Sequence, residues 1–230
     1  MNYSENKVKV NLGCGIHVIE GRGWVNCDNS ILAKLRKSPL WFVAVWMINR
    51  GILPEIYRNY PLVKIVDIRK KLPFNDNSVD YIYCSQVVEH LYLYDLSRFI
   101  SECVRVLKPG GIMRILTPDL NKTINLYLKR ENTTFEKNDF LKTSLMADHF
   151  NLVFYPRSWV LHEKRSMAVR IMDAVPEQHK YIFDFDSLYS VLKNSGFNKI
   201  AEVSTQKSSF PDVKLVDKFQ DISLLVEAIK

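Results

Sequence analysis

The sequence predicts an α/β protein in which seven strands form a mostly parallel sheet with helices on both faces. Through the first half of the chain, short apolar runs alternate with segments of helical spacing, as in parallel sheets whose strands are joined by helices. Glycines end the first of these runs, and an aspartate follows each of the next two. The 230 residues suit one domain, and 47% hydrophobic and 25% charged residues are ordinary for a folded protein.

Four short apolar runs are the predicted strands of the first half, at residues 8–12, 24–27, 63–66 and 79–84. The fourth run mixes β-branched and aromatic residues, which favour strands. Between the second and third runs, residues 31–50 have helical character, with a break expected near Pro39 because proline interrupts a helix. This alternation supports the parallel arrangement of the strands.

The clearest predicted helix follows the fourth strand. Its apolar residues recur at spacings of three and four on one helical face: Leu96, Phe99, Ile100, Cys103, Val104 and Leu107. Asp95 is the expected N-cap, since its carboxylate can accept a backbone N–H of the first turn. Pro109 and the two glycines after it should end the helix, and residues 112–116 form the predicted fifth strand.

Between the fifth and sixth strands the pattern loosens, over residues 119–185. Two polar helices are expected there, at residues 120–129 and 137–147. We interpret this stretch as an insertion that forms a lid over the sheet, within a single domain of residues 1–230. Regular patterning then returns, with a short helix at residues 186–195 and strands at residues 197–205 and 221–229.

The turn Gly13-Cys14-Gly15 lies directly after a buried strand, where glycines let a ligand approach the backbone closely. A dinucleotide fingerprint would need a third glycine where Val18 stands, and a phosphate-binding loop would need a following Gly-Lys-Ser/Thr. Asp28 and Asp67 end the second and third strands, at the sheet edge where open α/β sheets bind ligands. These carboxylates could merely cap strand ends, but together with the turn they predict a site for a nucleoside, with contacts to ribose hydroxyls and an adenine amino group.

Four segments of this half carry a family pattern, in the family's order. They are residues 8–15 (VKVNLGCG), 24–28 (WVNCD), 67–91 (DIRKKLPFNDNSVDYIYCSQVVEHL) and 102–119 (ECVRVLKPGGIMRILTPD). They resemble the class I S-adenosylmethionine-dependent methyltransferases, in particular the small type 11 domain group. The resemblance implies a Rossmann-like fold, methyltransferase activity and S-adenosyl-L-methionine as the cofactor.

The resemblance also implies cofactor contacts at matched positions. The turn of Gly13, Cys14 and Gly15 would pass under the methionine part of the cofactor, and Asp28 would bind the ribose. The other implied contacts are those of the adenine with Asp67 and Ile68, and those of the sulfonium wall with Ser85 and Gln86. The sequence departs from the family where Asn11 replaces an acidic residue, and where the short stretch before the second strand leaves room for a loop instead of a helix.

Methyl transfer from a sulfonium mainly requires that the acceptor be held in line, and a hydroxyl acceptor also needs a base. His90 is the first candidate base and Asp119 the second, although either could only cap or pack against a helix. Glu89, His90 and Asp119 could together hold a divalent metal, but their spacing does not require one, and we predict none. Side chains of the insertion could complete an acceptor-binding region: His149, Tyr155, Arg157, His162 and His179.

The expected acceptor is a small-molecule or sugar-like compound methylated on oxygen, with a cell-envelope polysaccharide role that rests on the resemblance alone. The net charge of +7 raises the alternative of a nucleic acid methyltransferase, but the basic residues are scattered, so nucleic acid is not the expected partner. A catalytically silent cofactor-binding module is the non-enzymatic alternative.

The aromatic segment at residues 40–48 could pack as an extra helix or, with basic residues beside it, make a peripheral membrane contact. It is the longest apolar stretch, at about nine residues, whereas a membrane-spanning helix needs roughly 20. With a polar N-terminus that does not resemble a signal peptide, the sequence predicts a cytoplasmic protein without a transmembrane segment. The four cysteines lack metal-ligand spacing and are expected to be buried thiols, and the oligomeric state is left open.

Overall fold

The computed structural model describes residues 7–21, 23–129, 179–204, 207–216 and 223–230. Most of the predicted insertion lies outside these residues, including the helix expected at residues 137–147. Its two described ends, residues 119–129 and 179–185, lead away from the sheet and back to it.

A seven-stranded sheet forms the centre of the described structure. Its strands are β1 (Lys9–Leu12), β2 (Trp24–Asp28), β3 (Lys64–Ile65), β4 (Val79–Ser85), β5 (Leu107–Pro118), β6 (Lys199–Glu202) and β7 (Ser223–Ile229). They lie in the order β3-β2-β1-β4-β5-β7-β6. The pairs from β3 to β5 are parallel, whereas β7 runs antiparallel to both β5 and β6. The predicted seven-stranded, mostly parallel sheet is therefore confirmed.

Helices connect and cover these strands. They are α1 (Ile31–Arg36), α2 (Trp41–Asn49), α3 (Leu93–Val106), α4 (Leu120–Lys129), α5 (Phe185–Asn194) and α6 (Val213–Val216), with 3₁₀ turns at Glu55–Tyr57 and Val88–His90. The break expected near Pro39 is confirmed, because it separates α1 from α2. The Asp95 N-cap is wrong: α3 begins three residues earlier than expected, with Tyr92 at the N-cap position, so Asp95 lies in the first turn. A carboxylate there still interacts favourably with the helix dipole.

The larger core lies on one face of the sheet. Alternate side chains of the central strands point into it, among them Ile82 of β4 and Met113 of β5. Apolar residues of α3 and α5 cover this face, including Phe99 and Leu188, which are fully buried. Burial of these side chains removes a large apolar area from water and stabilises the parallel centre of the fold.

The opposite face carries a smaller core. Tyr81 and Tyr83 of β4 point to it, and the segment that contains α6 packs over them. The Phe210 ring lies edge-on to Tyr81, with centroids 5.5 Å apart, and the Tyr83 hydroxyl donates to the Val216 carbonyl at 2.7 Å. Both faces of the sheet are therefore covered, although one cover is a short helix with its flanking loop.

The described helices include none that combines the length and the apolar character needed to cross a lipid bilayer.

Candidate functional site

The carboxyl ends of four neighbouring strands meet at one edge of the sheet. Leu12, the last residue of β1, pairs in register with Cys27 of β2 and with Cys84 of β4. Asp28 at the end of β2 is aligned with Ile65 at the end of β3. The loops that follow these strands therefore start at the same level, which is the position of ligand sites in open α/β sheets.

The Asp28 carboxylate is hydrogen-bonded directly to the glycine turn. The Gly15 N–H donates to Asp28 Oδ2 at 2.8 Å, and the Ser30 N–H donates to Asp28 Oδ1 at 2.7 Å. The Gly13 and Cys14 N–H groups both donate to the Cys27 carbonyl, at 2.9 and 3.0 Å. The structure thus brings together the predicted turn and the predicted ribose carboxylate, and it holds both through the backbone.

The two glycines of the turn face different surroundings. Gly13 has φ +72°, and a Cβ placed on it would lie 2.4 Å from Val87 Cγ2. Gly15 has φ +51°, and a Cβ there would meet no heavy atom of the described residues within 4 Å. Gly13 is therefore required by the fold, whereas Gly15 borders open space.

The stretch between the turn and β2 is the predicted loop rather than a helix. The Asn11 amide donates to Asn26 Oδ1 at 2.9 Å and to the His17 carbonyl at 3.1 Å. Asn26 in turn accepts from the Ile19 N–H and donates to the Ile19 carbonyl. Asn11, where the family has an acidic residue, is thus used here as an uncharged bridge that ties the loop to the sheet.

The thiol of Cys14 is buried beneath the turn. Burial, with a smaller effect from the nearby Asp28 charge, raises the pKa of Cys14 to about 12. A thiol with so high a pKa is protonated at neutral pH and is a poor nucleophile and metal ligand. Cys14 therefore acts at this site through its backbone.

Asp67 and Ile68 lie at the start of the loop after β3. Both carboxylate oxygens of Asp67 accept from the Arg69 guanidinium, at 2.9 Å each, and this pairing holds the pKa of Asp67 below its usual value. Ile68 is half-buried and packs against the main core. An adenine amino group would therefore compete with Arg69 for the Asp67 carboxylate.

Ser85 and Gln86 occupy the end of β4. Ser85 Oγ is buried and has no hydrogen-bond partner among the described residues. Gln86 adopts φ +55°, a left-handed conformation that residues other than glycine seldom take, and its amide donates to Ser223 Oγ at 3.2 Å. The strand thus ends in an unsatisfied hydroxyl followed by a strained residue.

A second group of polar side chains follows in the 3₁₀ turn Val88–His90. Glu89 is fully buried, and burial raises the pKa of its carboxyl to about 8. Thr117 Oγ1 donates to Glu89 Oε2 at 3.2 Å, while Glu89 Oε1 has no partner among the described residues. His90 is half-buried beside it, and its ring lies edge-on to that of His179, with centroids 4.9 Å apart.

His179 reaches this place because the chain returning from the insertion binds the backbone of Glu89. The Lys180 and Tyr181 N–H groups donate to the Glu89 carbonyl, at 2.6 and 3.2 Å. The sequence named His179 only as one of several insertion residues, since nothing in its spacing links it to His90. The other four, His149, Tyr155, Arg157 and His162, lie outside the described residues.

Asp119 lies directly before the first residue of α4. Its Oδ1 accepts the Lys122 N–H at 3.0 Å, so the carboxylate caps α4. Asp119 also forms an isolated bridge with Phe183, which joins the two described ends of the insertion. Helix capping is the alternative role that the sequence left open for this residue. A further role in acid–base chemistry stays a prediction.

Comparison with known proteins finds similarity to methyltransferases over part of the chain. Residues 54–115 match the family described as the methyltransferase domain. A probable S-adenosylmethionine-dependent methyltransferase of Mycolicibacterium smegmatis is 38% identical over 107 residues, which are 42% of this chain and 40% of that protein. A protein with the same description from Mycobacterium tuberculosis strain H37Rv is 41% identical over 66 residues, 28% of this chain and 23% of that protein.

Part of the chain is therefore similar to S-adenosylmethionine-dependent methyltransferases. It matches less than half the length of these two relatives. A methyltransferase structure from Archaeoglobus fulgidus is similar at 15% identity and a TM-score of 0.48, covering 98% of this chain and 87% of that one.

The two relatives are named as S-adenosylmethionine-dependent, and the residues present in this chain fit S-adenosyl-L-methionine. Gly15 borders open space, and each Asp28 oxygen accepts one backbone N–H and keeps capacity for a hydroxyl. The unpartnered Ser85 Oγ offers one more polar contact at the end of β4. The cofactor would supply an activated methyl group bound to a sulfonium.

Proposed function

We propose that this chain is a methyltransferase that uses S-adenosyl-L-methionine to methylate an oxygen of a small or sugar-like acceptor. The observation that carries the proposal is the contact between the buried Asp28 carboxylate and the Gly15 N–H, beside open space at the carboxyl edge of the sheet. Similarity to S-adenosylmethionine-dependent methyltransferases supports the chemistry proposed for this arrangement.

The cofactor half of the proposed site has four parts. We propose that the carboxylate of Asp28 accepts the ribose hydroxyls and that the turn from Gly13 to Gly15 lies under the methionine part. Asp67 and Ile68 are proposed to contact the adenine, with Arg69 giving up part of its hold on Asp67. Ser85 and Gln86 are proposed to face the sulfonium. Holding the donor in this way would leave only the alignment of the acceptor, which can contribute about 7–11 kcal/mol in well-oriented reactions.

The acceptor half is proposed to lie beyond β4 and β5. A hydroxyl acceptor must lose its proton, and His90 is the residue proposed to act on that proton, with Asp119 as the second candidate. The insertion at residues 119–185 is proposed to complete the acceptor-binding region. The hydrogen bonds from Lys180 and Tyr181 to the Glu89 backbone support this, because they bring the end of the insertion against His90.

The acceptor class rests on the sequence resemblance, which associates this group with cell-envelope sugars. A lipid-linked acceptor would be carried at a membrane, and α2 offers a surface that fits one. Phe42 and Trp46 are 66% and 50% exposed, and Arg50 stands over the Trp46 ring at 5.3 Å. We propose that this face makes a peripheral contact with anionic lipid, where aromatic and arginine side chains act together.

The test of the cofactor site is a calorimetric titration with S-adenosylhomocysteine. Gly15→Ala should lower the affinity at least tenfold, because its methyl group would enter the space proposed for the cofactor. Gly51→Ala is the matched control: it has a similar φ of +66° and equally open surroundings, but it lies outside the site. Asp28→Asn, which keeps the shape of the side chain, should also lower the affinity, whereas the exposed Asp186→Asn should not.

Equal affinity for Gly15→Ala and Gly51→Ala would refute the proposed position of the cofactor. Tight cofactor binding without turnover on a broad panel of hydroxyl acceptors would instead favour a catalytically silent module. Turnover on RNA, with an affinity that falls steeply with salt, would favour the nucleic acid alternative.

A further inference from the structure

We propose that Glu89, His90 and His179 bind one divalent ion of the first-row transition metals. The three side chains each offer a ligand atom, and these atoms all lie within 4.8 Å of one another. From the sequence we expected no metal, because the spacing of Glu89, His90 and Asp119 does not require one. In the structure, the third side chain grouped with Glu89 and His90 is His179, from the far end of the insertion, and not Asp119.

The donor set selects the class of ion. Two imidazoles and one carboxylate suit Zn²⁺, Fe²⁺, Co²⁺ and Mn²⁺, whereas Mg²⁺ and Ca²⁺ prefer sites made only of oxygen ligands. Two imidazoles with one carboxylate is also the ligand set of catalytic zinc sites and of non-haem iron sites. Three protein ligands leave at least one coordination position for an oxygen from outside the protein.

The burial and hydrogen bonding of Glu89 suit a residue that coordinates a metal ion. Its side chain is fully buried, and Thr117 satisfies only Oε2. Oε1 is buried without a hydrogen-bond partner among the described residues. A buried carboxyl group with an unsatisfied oxygen is costly, and coordination of a cation would remove that cost.

The two histidines are held close by the backbone. The hydrogen bonds from Lys180 and Tyr181 to the Glu89 carbonyl fix the chain next to His179, and the edge-on rings of His90 and His179 are 4.9 Å apart. Donor atoms that share an ion at about 2.1 Å are separated by roughly 3–4 Å. The observed spacing therefore needs only a small inward rotation of the side chains.

The position of the site gives the ion a role on the acceptor side. A bound dication lowers the pKa of a coordinated hydroxyl, so His90 would serve the acceptor as a metal ligand rather than as a general base. This role rests on the proposed methyl transfer to oxygen. The binding of the ion does not, since it depends only on the three side chains.

The test is metal binding by the full chain after removal of bound metal with a chelator. We expect one Co²⁺ per chain, seen as visible absorption, and one Zn²⁺ per chain by calorimetry, with Mg²⁺ binding at least a hundredfold more weakly. Glu89→Gln, His90→Ala and His179→Ala should each weaken Zn²⁺ binding at least tenfold. His17→Ala, which changes an exposed histidine in the loop after the glycine turn, should leave it unchanged.

A second measurement uses the wild-type chain and needs no variant to fold. Diethylpyrocarbonate modification, mapped by mass spectrometry, should be slowed by Zn²⁺ at His90 and His179 but not at His17. Absence of Co²⁺ and Zn²⁺ binding at millimolar concentration, or equal protection of all three histidines, would overturn the proposal. Because S-adenosylhomocysteine binding is measured separately, failure of the metal site and failure of the cofactor site can be distinguished.

Discussion

At the scale of single residues, the two glycines of the turn Gly13-Cys14-Gly15 are needed for different reasons, although they form one sequence motif. Gly13 has a left-handed backbone and touches Val87 of the loop after β4, so it joins two loops of the fold. Gly15 has a similar backbone but borders open space. Glycine is therefore needed for packing at the first position and, as we propose, for ligand approach at the third.

Gly13→Ala should lower the free energy of unfolding by about 2–4 kcal/mol, since it combines overpacking with backbone strain. Urea denaturation would measure this loss. Gly51→Ala, which carries the strain without the clash, should cost only about 1 kcal/mol. Adding Val87→Ala to Gly13→Ala should restore part of the lost stability. If the two changes lower the free energy of unfolding additively, the Val87 side chain is not what the new methyl group clashes with.

The cysteines give a second prediction at this scale. All four are buried, and burial raises the pKa of Cys14 to about 12 and of Cys27 to about 11. A raised pKa leaves the thiol protonated at pH 8, so the reactive thiolate is scarce. Ellman's reagent should therefore detect four thiols only after denaturation. Rapid reaction of a thiol in the native protein would contradict this burial.

At the scale of elements, the antiparallel strand β7 places a charged pair inside the sheet. Arg114 of β5 pairs in register with Glu227 of β7, and its Nη1 donates to Glu227 Oε1 at 2.6 Å. Ser208 and the Ser209 N–H also donate to the Glu227 carboxylate. The pair thus ties β5 and β7 to the segment that covers the second face of the sheet.

Glu227→Ala should lower the free energy of unfolding by about 3–5 kcal/mol, because Arg114 is fully buried and would lose its partner carboxylate. Chemical denaturation measures the loss. Glu202→Ala is the control, since Glu202 lies on neighbouring β6 but is exposed, and its change should stay within about 0.5 kcal/mol. Similar losses in the two variants would mean that the buried pair contributes no more than a surface carboxylate.

At the scale of the whole molecule, the exposed apolar face of α2 is a surface feature that the core does not explain. Ala44 and Ile48 anchor the helix to a small core, whereas Leu40, Phe42 and Trp46 are exposed. The net charge of +7 favours approach to an anionic surface. Together these features give the proposed lipid contact both an apolar and an electrostatic component.

Sedimentation with vesicles of equal parts phosphatidylglycerol and phosphatidylcholine would test this contact. The double change Phe42→Ser and Trp46→Ser should reduce binding by about tenfold or more, because each aromatic ring contributes apolar area to the interface. Tyr94→Ser is the control, since Tyr94 is 75% exposed but lies on α3. Equal binding of the wild-type chain and the double variant would exclude α2 as the contact.

Local patterns predicted the helices and strands better than their ends: the helix expected to end at Pro109 ends at Val106, and β5 begins at Leu107. Pro39 separates two helices as expected, and α4 spans Leu120–Lys129 as its pattern indicated. The Asp95 N-cap was wrong because α3 begins at Leu93, after Tyr92, whose side chain makes no capping hydrogen bond. Helix ends are weakly encoded, since a shift of one or two residues changes few contacts.

The sequence by itself determined the order of strands and helices, the glycine turn and the aspartate that closes on it, because strand ends in a parallel sheet meet at one edge. Only the tertiary structure decided which distant side chains meet. His90 and His179 are far apart in the chain and share no periodicity, and backbone hydrogen bonds to Glu89 bring them together. Contacts of this kind depend on how the chain returns to the sheet, which no local pattern of residues records.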